Sequence, residues 1–471
     1  MKTNTWWRPN MKTNTSWKRL VIVVTLGAAL SGVPAYTAVS EAIAADRMTH
    51  SELSGGPATV TARKLTADPG ELSAQDNDAV TVWNRQAVTL TLLPASALAP
   101  VQQNQVMAIV QVAVHDAVNG ITGEYQTYLS PGVAPEDASP VAAAITAAHH
   151  VLRILFNSQA GSLHTLYLAS LAAHGLSEDD PGIEYGQSAA AAILALREND
   201  HSAQAQFDYT APGAGTPGVW VRLNNAPALL PGWGNVTPWV MRSGSQFRPD
   251  APPALDSERY ARDYNEVKQI GALNGSGRTE EQTQIATFWR ASPTAIWNPV
   301  LSQVLATRDL DLSATARSFA LFYLAAADAS ISCWEAKYHY NFWRPLPAIW
   351  SGDLDGNDFT AGDGSWTPLF ATPPHPEYPS GHSTNSSAMA TILELLFEDD
   401  PGVPIAVTIS GITRQWNRFS EAVEEVIDAR VYSGIHFRTA DVVGARQGRQ
   451  VARFVLNHAL RRCPKGGSRC S

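Results

Sequence analysis

Phe319-Ala-Leu-Phe-Tyr-Leu-Ala-Ala-Ala-Asp-Ala-Ser-Ile331 carries a single charge and none of the every-second-residue alternation of a strand. Within the longer periodically apolar segment 313–342 it reads as an Ala-rich core helix. Its apolar order and late Asp-Ala are echoed in Met107-Ala-Ile-Val-Gln-Val-Ala-Val-His-Asp-Ala-Val-Asn119. That echo fits two successive helix bundles, and equally a chance likeness between Ala-rich helices. Further helical periodicity appears at about 100–119, 139–156, 160–175, 183–199, 256–271, 279–291, 382–398, 405–427 and 439–462. Strand alternation is scarce and short. The expected fold class is all-α: two helix bundles with long Pro/Gly-rich connecting loops.

The expected organisation is an export signal over 1–44, an N-terminal extension over 45–84 and a first helical bundle over 85–205. A long connector over 206–255, a second bundle over 256–462 and a tail over 463–471 follow. The connector exceeds ordinary loop lengths, so it is either an ordered covering segment or a functional rim. Lys18 and Arg19 precede the apolar run Leu20 to Val33, and Ala42-Ile43-Ala44 resembles a cleavage site, so the chain is expected to be secreted or periplasmic. Met-Lys-Thr-Asn-Thr occurs at both 1–5 and 11–15, which leaves Met1 and Met11 as alternative starts. No later stretch reaches span length without charges or Pro/Gly, so no membrane span is expected in the mature chain.

Of the 471 residues 45% are hydrophobic and 16% charged, enough apolar surface for a large core. The formal net charge is −9 and becomes −13 without residues 1–44. A surface that acidic makes a poor nucleic-acid binder, so an anion site has to be a local cluster of cations. Of the three cysteines, Cys463 and Cys470 either pair or stay free, and Cys333 is expected to be buried.

Three clusters carry chemistry. In Lys337-Tyr-His-Tyr-Asn-Phe-Trp-Arg344-Pro345, two helical turns separate the cations, so on one continuous helix they share a face, and Pro345 ends it. They form either a solvated stripe or one wall of an anion site. Pro379-Ser380-Gly381-His382 opens a helix: Ser380 offers a hydroxyl or a plain N-cap, Gly381 lets its N–H approach closely, and His382 is placed to move a proton. Arg430-Val-Tyr-Ser-Gly434-Ile-His436 adds a guanidinium and a histidine, with Asp441 placed to hold the other imidazole nitrogen. Jointly these groups suit a tetrahedral oxyanion passing through a trigonal-bipyramidal state.

Lys-x6-Arg-Pro, Pro-Ser-Gly-His and Arg-x3-Gly-x-His, in this order over 337–441, resemble the signature of the vanadium-dependent haloperoxidases. The acid and lipid phosphatases of the type 2 phosphatidic acid phosphatase superfamily share it. The resemblance implies that Lys337, Arg344, Ser380, Gly381 and Arg430 hydrogen-bond vanadate. It makes His436 the metal ligand, or the phosphorylated nucleophile of a phosphatase, and His382 the acid/base, with Lys337 catalytic as well. Two positions depart from the family pattern: Ala429 replaces a Ser, and Ala440 replaces an Asp that appears one residue later as Asp441.

Trp334 resembles a pocket-wall aromatic of haloperoxidases, and also reads as plain core. His375 sits where the family carries Phe or His, and His there resembles the bromoperoxidase type; it also reads as a loop residue between prolines. The expected activity is oxidation of halide, bromide favoured over chloride, by hydrogen peroxide, with a small organic acceptor optional. A secreted phosphatase and a non-catalytic oxyanion binder are the alternatives. Asp353-Leu-Asp355-Gly-Asn-Asp358 departs from a calcium loop, its Gly coming too early, and is expected to be an exposed turn.

Overall fold

The computed structural model describes residues 79–464. The expected signal peptide, most of the expected extension and nearly all of the tail lie outside the described residues. The helices begin with α1 (Ala79–Leu92), α2 (Pro100–Thr122), α3 (Pro140–Leu155), α4 (Ala160–Ala173) and α5 (Pro181–Arg197). After a stretch with only short 3-10 turns come α6 (Glu258–Ile270), α7 (Glu280–Phe288), α8 (Pro293–Ala306), α9 (Leu312–Tyr340) and α10 (Pro345–Trp350). The chain ends with α11 (Gly381–Phe397), the hairpin β1 (Ile405–Ile409) and β2 (Ile412–Trp416), then α12 (Phe419–Tyr432) and α13 (Arg438–His458). The fold is helical, and no described helix is long and apolar enough to cross a membrane.

Local chemistry sets the helix starts. Asp311, Ser139, Asp180 and Ser257 each accept a backbone N–H at an N-terminus, and Thr279 forms a capping box with Gln282. The expected helix over 405–427 is instead a hairpin followed by α12. Ser410 and Gly411 both take positive φ, which turns the chain tightly between two β-branched runs registered Ile405 to Trp416. Three helices went unread: α1, α8 and the short α10. The second begins at a proline and contains another, Pro299, so its sequence looks broken. The 353–358 turn is not simply exposed: Asp355 is buried and accepts from the Asn357 N–H (2.9 Å) and the Thr360 hydroxyl (2.8 Å).

Helix α9 runs through the centre, buried along almost all its length, and packs on α2, α11 and α13. The echo between its sequence and that of α2 has a counterpart in space. Asp116 on α2 accepts the backbone N–H groups of Tyr128 (2.6 Å) and Leu129 (2.8 Å). Asp328 on α9 does the same for Trp239 (2.7 Å), Val240 (2.8 Å) and Met241 (2.9 Å). The two captured loops meet, the Tyr128 hydroxyl donating to the Trp239 carbonyl at 2.7 Å. The second captured loop belongs to the long connector, which is therefore an ordered covering segment.

Two devices hold α11, which opens the site. From beneath, Asn104 of α2 donates to Ser330 of α9 (3.0 Å) and Asn385 of α11 (2.9 Å) and accepts from Thr294 of α8 (2.9 Å). A buried network so fully paired fixes the relative setting of four helices. From the side, α13 lies against α11 through Gly444 and Gly448, where a Cβ would overlap the carbonyls of Ser380 and Thr384 respectively.

Candidate active site

Helix α9 does not reach Arg344. It ends at Tyr340, where Asn341 takes the left-handed conformation (φ 48°), and the chain turns through Phe342 and Trp343. Arg344 is the residue before α10, and Pro345 starts that helix rather than ending α9. Lys337 and Arg344 still converge, because the turn folds Arg344 back over the same pocket.

Both cations, and Arg430 on α12, are buried and held by neutral carbonyls. Lys337 Nζ donates to the carbonyls of Pro376 and Glu377, each at 2.9 Å. Arg344 donates to the carbonyls of His375 (2.9 Å) and Ile435 (2.8 Å), and Arg430 to that of Trp289 (3.0 Å). Burial pushes the Lys337 amine down to about 7 and the Arg430 guanidinium down to about 10, since nothing local offsets their desolvation in full. Buried Arg430 Nε has no partner.

His436 is set by two bonds that define its tautomer. Arg344 Nη1 approaches Nε2 at 3.0 Å; a guanidinium can only donate, so Nε2 is the acceptor. Nδ1 therefore carries the proton and donates to Glu377 Oε1 at 2.8 Å. The Nε2 lone pair is thus the one presented among the cations. Gly434 places this imidazole: its φ of 76° and its packing against the Gly271 carbonyl leave no room for a Cβ.

Asp441, expected as the partner of His436, is not. It accepts from the Ser383 hydroxyl at 2.9 Å and from Ser380, so it orients the α11 start instead. Glu377 takes the expected role because the loop before Ser380 crosses directly behind His436, whereas Asp441 sits one helical turn into α13. Sequence reasoning passed over Glu377; its signal was a lone acid in an otherwise proline-framed loop, Pro-Pro-His-Pro-Glu-Tyr-Pro.

Ser380 stands at the N-cap of α11 without making a side-chain cap bond. His382, in the first turn, is bonded through Nε2 to the Ala291 carbonyl at 3.1 Å, which makes Nε2 the protonated nitrogen and Nδ1 the acceptor. Burial first, then Arg430, pulls its pKa well below the ordinary range, so the ring is neutral. His375 is also neutral; it lies 3.0 Å from Arg344 Nη2 and 4.9 Å, ring to ring, from Trp334. All ten residues singled out in the sequence therefore lie in or directly against this pocket, with Asp441 in a different position from the one expected.

The donor set meets what a tetrahedral oxyanion requires. Three cations are spent on carbonyls rather than carboxylates, one guanidinium nitrogen is unpartnered, and a helix N-terminus supplies unsatisfied N–H groups. An imidazole lone pair then offers a bond to a central metal. Vanadate fits this set: Lys337, Arg344, Ser380, Gly381 and Arg430 would hold its oxygens and His436 its metal.

A helical scaffold with a buried, cation-lined pocket and three neutral histidines defines the class of oxyanion-handling helical enzymes. Residues 317–464 match the family described as the VCPO second helical-bundle domain. The vanadium chloroperoxidase of Curvularia inaequalis is 24% identical over 265 residues, covering 46% of this chain. The match spans 43% of that relative's length. A solved bacterial vanadium-dependent iodoperoxidase superposes with a TM-score of 0.71 at 26% identity, covering 83% of this chain and 98% of the other. An apo bacterial vanadium-dependent chloroperoxidase, with a TM-score of 0.61 and 18% identity over 77% of this chain and 95% of its own, shares the fold. Residues 317–464 thus match a domain of the vanadium chloroperoxidases, and the chain as a whole resembles the vanadium-dependent haloperoxidases in fold.

Proposed function

We propose that this protein is a vanadate-dependent haloperoxidase that oxidises halide with hydrogen peroxide, bromide in preference to chloride. The observation that carries the reading is the orientation of His436: Glu377 accepts from its protonated Nδ1, so the unprotonated Nε2 faces the three buried cations, where Arg344 donates to it. Bound vanadate supplies a Lewis-acid centre that activates hydrogen peroxide without changing oxidation state.

The chain's own residues do the rest. Arg344 and Arg430 neutralise the oxyanion and fix its orientation from two sides. Lys337, held at Pro376 and Glu377, places a positive charge where negative charge builds on oxygen. His382, neutral and with Nδ1 as acceptor, takes a proton from an incoming hydroxyl and returns it. Trp334 and His375 form the aromatic wall beside Arg344 and are the groups proposed to tune the halide. A small organic acceptor is optional, because a hypohalous product reacts without a dedicated pocket. Export, expected from residues 18–44, is part of the same proposal.

The test is halide oxidation by purified protein with and without orthovanadate, given peroxide and chloride, bromide or iodide in turn. Iodide is included because the iodoperoxidase shares 26% identity with this chain. Vanadate-dependent turnover that is lost in His436→Ala is the expected result. Absence of turnover, together with vanadate-inhibited cleavage of a phosphomonoester, assigns the pocket to a phosphatase acting through His436.

A further inference from the structure

The segment Trp289-Arg290-Ala291 between α7 and α8 lies against the site through both of its flanking carbonyls. Trp289 O accepts from Arg430 and Ala291 O from His382. Arg290, between them, contributes nothing to either bond, and its side chain is exposed. Its guanidinium lies over the Phe370 ring, 4.4 Å from the centroid. Phe370 in turn is bonded through its N–H to the Ser433 carbonyl (3.3 Å), just before the turn that carries His436. Arg290 therefore spans the gap between the segment touching His382 and the segment leading to His436.

The pocket meets solvent on this side. Lys337, Arg344 and Ser380 are fully buried, whereas Gly381 and His382 are only partly so. The carboxylates close to this segment are already engaged: Glu425 accepts from Trp289 Nε1 (2.9 Å) and pairs with Arg414, which also pairs with Glu281. The Arg290 side chain forms no ion pair or hydrogen bond among the described residues, so its charge is left uncompensated. On a chain of net charge −9, the surrounding field repels the small anions the pocket is built to receive.

We propose that Arg290 is an entrance cation, stacked on Phe370 at the His382 side of the pocket, that gathers small inorganic anions and delivers them to the buried site. The anions are tetrahedral oxyanions and, on the haloperoxidase reading, on which that extension rests, halide. A fixed cation of this kind acts on the rate of arrival; it does not hold the bound ligand, which the buried donors already do. Phe370 limits the motion of the guanidinium and keeps it at the mouth.

The experiment uses the full chain, following orthovanadate association and dissociation by tryptophan fluorescence at low and high ionic strength. Arg290→Gln, Arg290→Glu and the charge-conserving Arg290→Lys are compared with wild type. Arg290→Glu is expected to slow association about tenfold at low salt, with dissociation nearly unchanged and the difference collapsing at high salt. Arg290→Lys is expected to retain most of the wild-type rate. Equal association rates in all four proteins would overturn the proposal, as would a change confined to dissociation. A halide KM raised at unchanged kcat in Arg290→Glu extends the role to halide. If no halide is oxidised by any of them, the haloperoxidase reading fails while the vanadate kinetics still decide the role of Arg290.

Discussion

Glu377 Oε1 accepts two hydrogen bonds at once, from His436 Nδ1 at 2.8 Å and from the Phe437 backbone N–H at 3.0 Å. One carboxylate oxygen thus fixes both the imidazole and the backbone beside it. Burial pushes the Glu377 carboxyl up to about 8, so an amide is a fair mimic of it near neutral pH. Glu377→Gln is expected to keep orthovanadate affinity within a few-fold of wild type. Glu377→Ala is expected to weaken it by about 10–100-fold, the usual effect of removing a partner that orients a metal-ligating histidine. Titration of the apoprotein with orthovanadate measures both, and equal losses in the two variants would show that charge rather than orientation is what matters.

His382→Ala separates binding from turnover. The donors to the oxyanion remain, so orthovanadate is expected to bind nearly as in wild type. The rate of bromide oxidation is expected to fall by about 10²–10⁴-fold, the range for loss of a positioned acid/base. Retained turnover in a variant that still binds orthovanadate would remove His382 from the proton pathway.

His115 provides a pH-dependent contribution to stability far from the pocket. It is buried on α2, bonded through Nε2 to the Gln126 carbonyl at 3.0 Å, and burial lowers its pKa to about 4. Between the unfolded value of about 6.5 and the folded value, the unfolded chain binds the proton and the native chain does not. Native stability from this group therefore falls as pH drops from about 6.5 to about 4, by about 3 kcal/mol at most. His149 is shifted in the same direction. Denaturant titrations at pH 7 and pH 4.5 are expected to show a smaller acid loss in His115→Gln than in wild type. An identical loss in both proteins would contradict the assignment.

The paired carboxylates of α2 and α9 predict an order of stability losses. Asp328→Ala strands three backbone N–H groups, two of them in buried bonds, and Asp116→Ala strands two in part-buried ones. The first is expected to cost about 3–5 kcal/mol, allowing for partial relaxation of the loop, and the second less. Urea denaturation of the two variants tests the order, and a reversal would mean that the 239–241 loop is held by other contacts.

The helices were legible in the sequence wherever apolar periodicity ran unbroken, as in α9 and α13. The three site blocks were legible because their residue types converge on one chemistry. What escaped was whatever depends on segments crossing in space. Lys337 and Arg344 are seven residues apart, but the geometry joining them is a left-handed Asn341 and a reversed chain rather than two turns of one helix. Asp441 is near His436 in sequence, while Glu377, 59 residues away, is the one that touches it. The hairpin at 405–416 mimicked a helix because its β-branched residues also fall at helical spacing, and Pro293 and Pro299 concealed α8. Periodicity reports which face of an element is buried, and it carries no record of which loop will lie behind that face.

Lys337, Arg344 and Arg430 are anchored chiefly by peptide carbonyls, so their charges stay available to whatever enters. Such a pocket selects by charge and tetrahedral shape before it selects by element. Inorganic phosphate satisfies both criteria and is ordinarily far more abundant than vanadate. On the haloperoxidase reading, only a bond from His436 would distinguish a metal from phosphorus at rest. The active fraction of this protein would on that reading be set by a competition between two look-alike anions, and phosphate buffer is expected to act on it as an inhibitor.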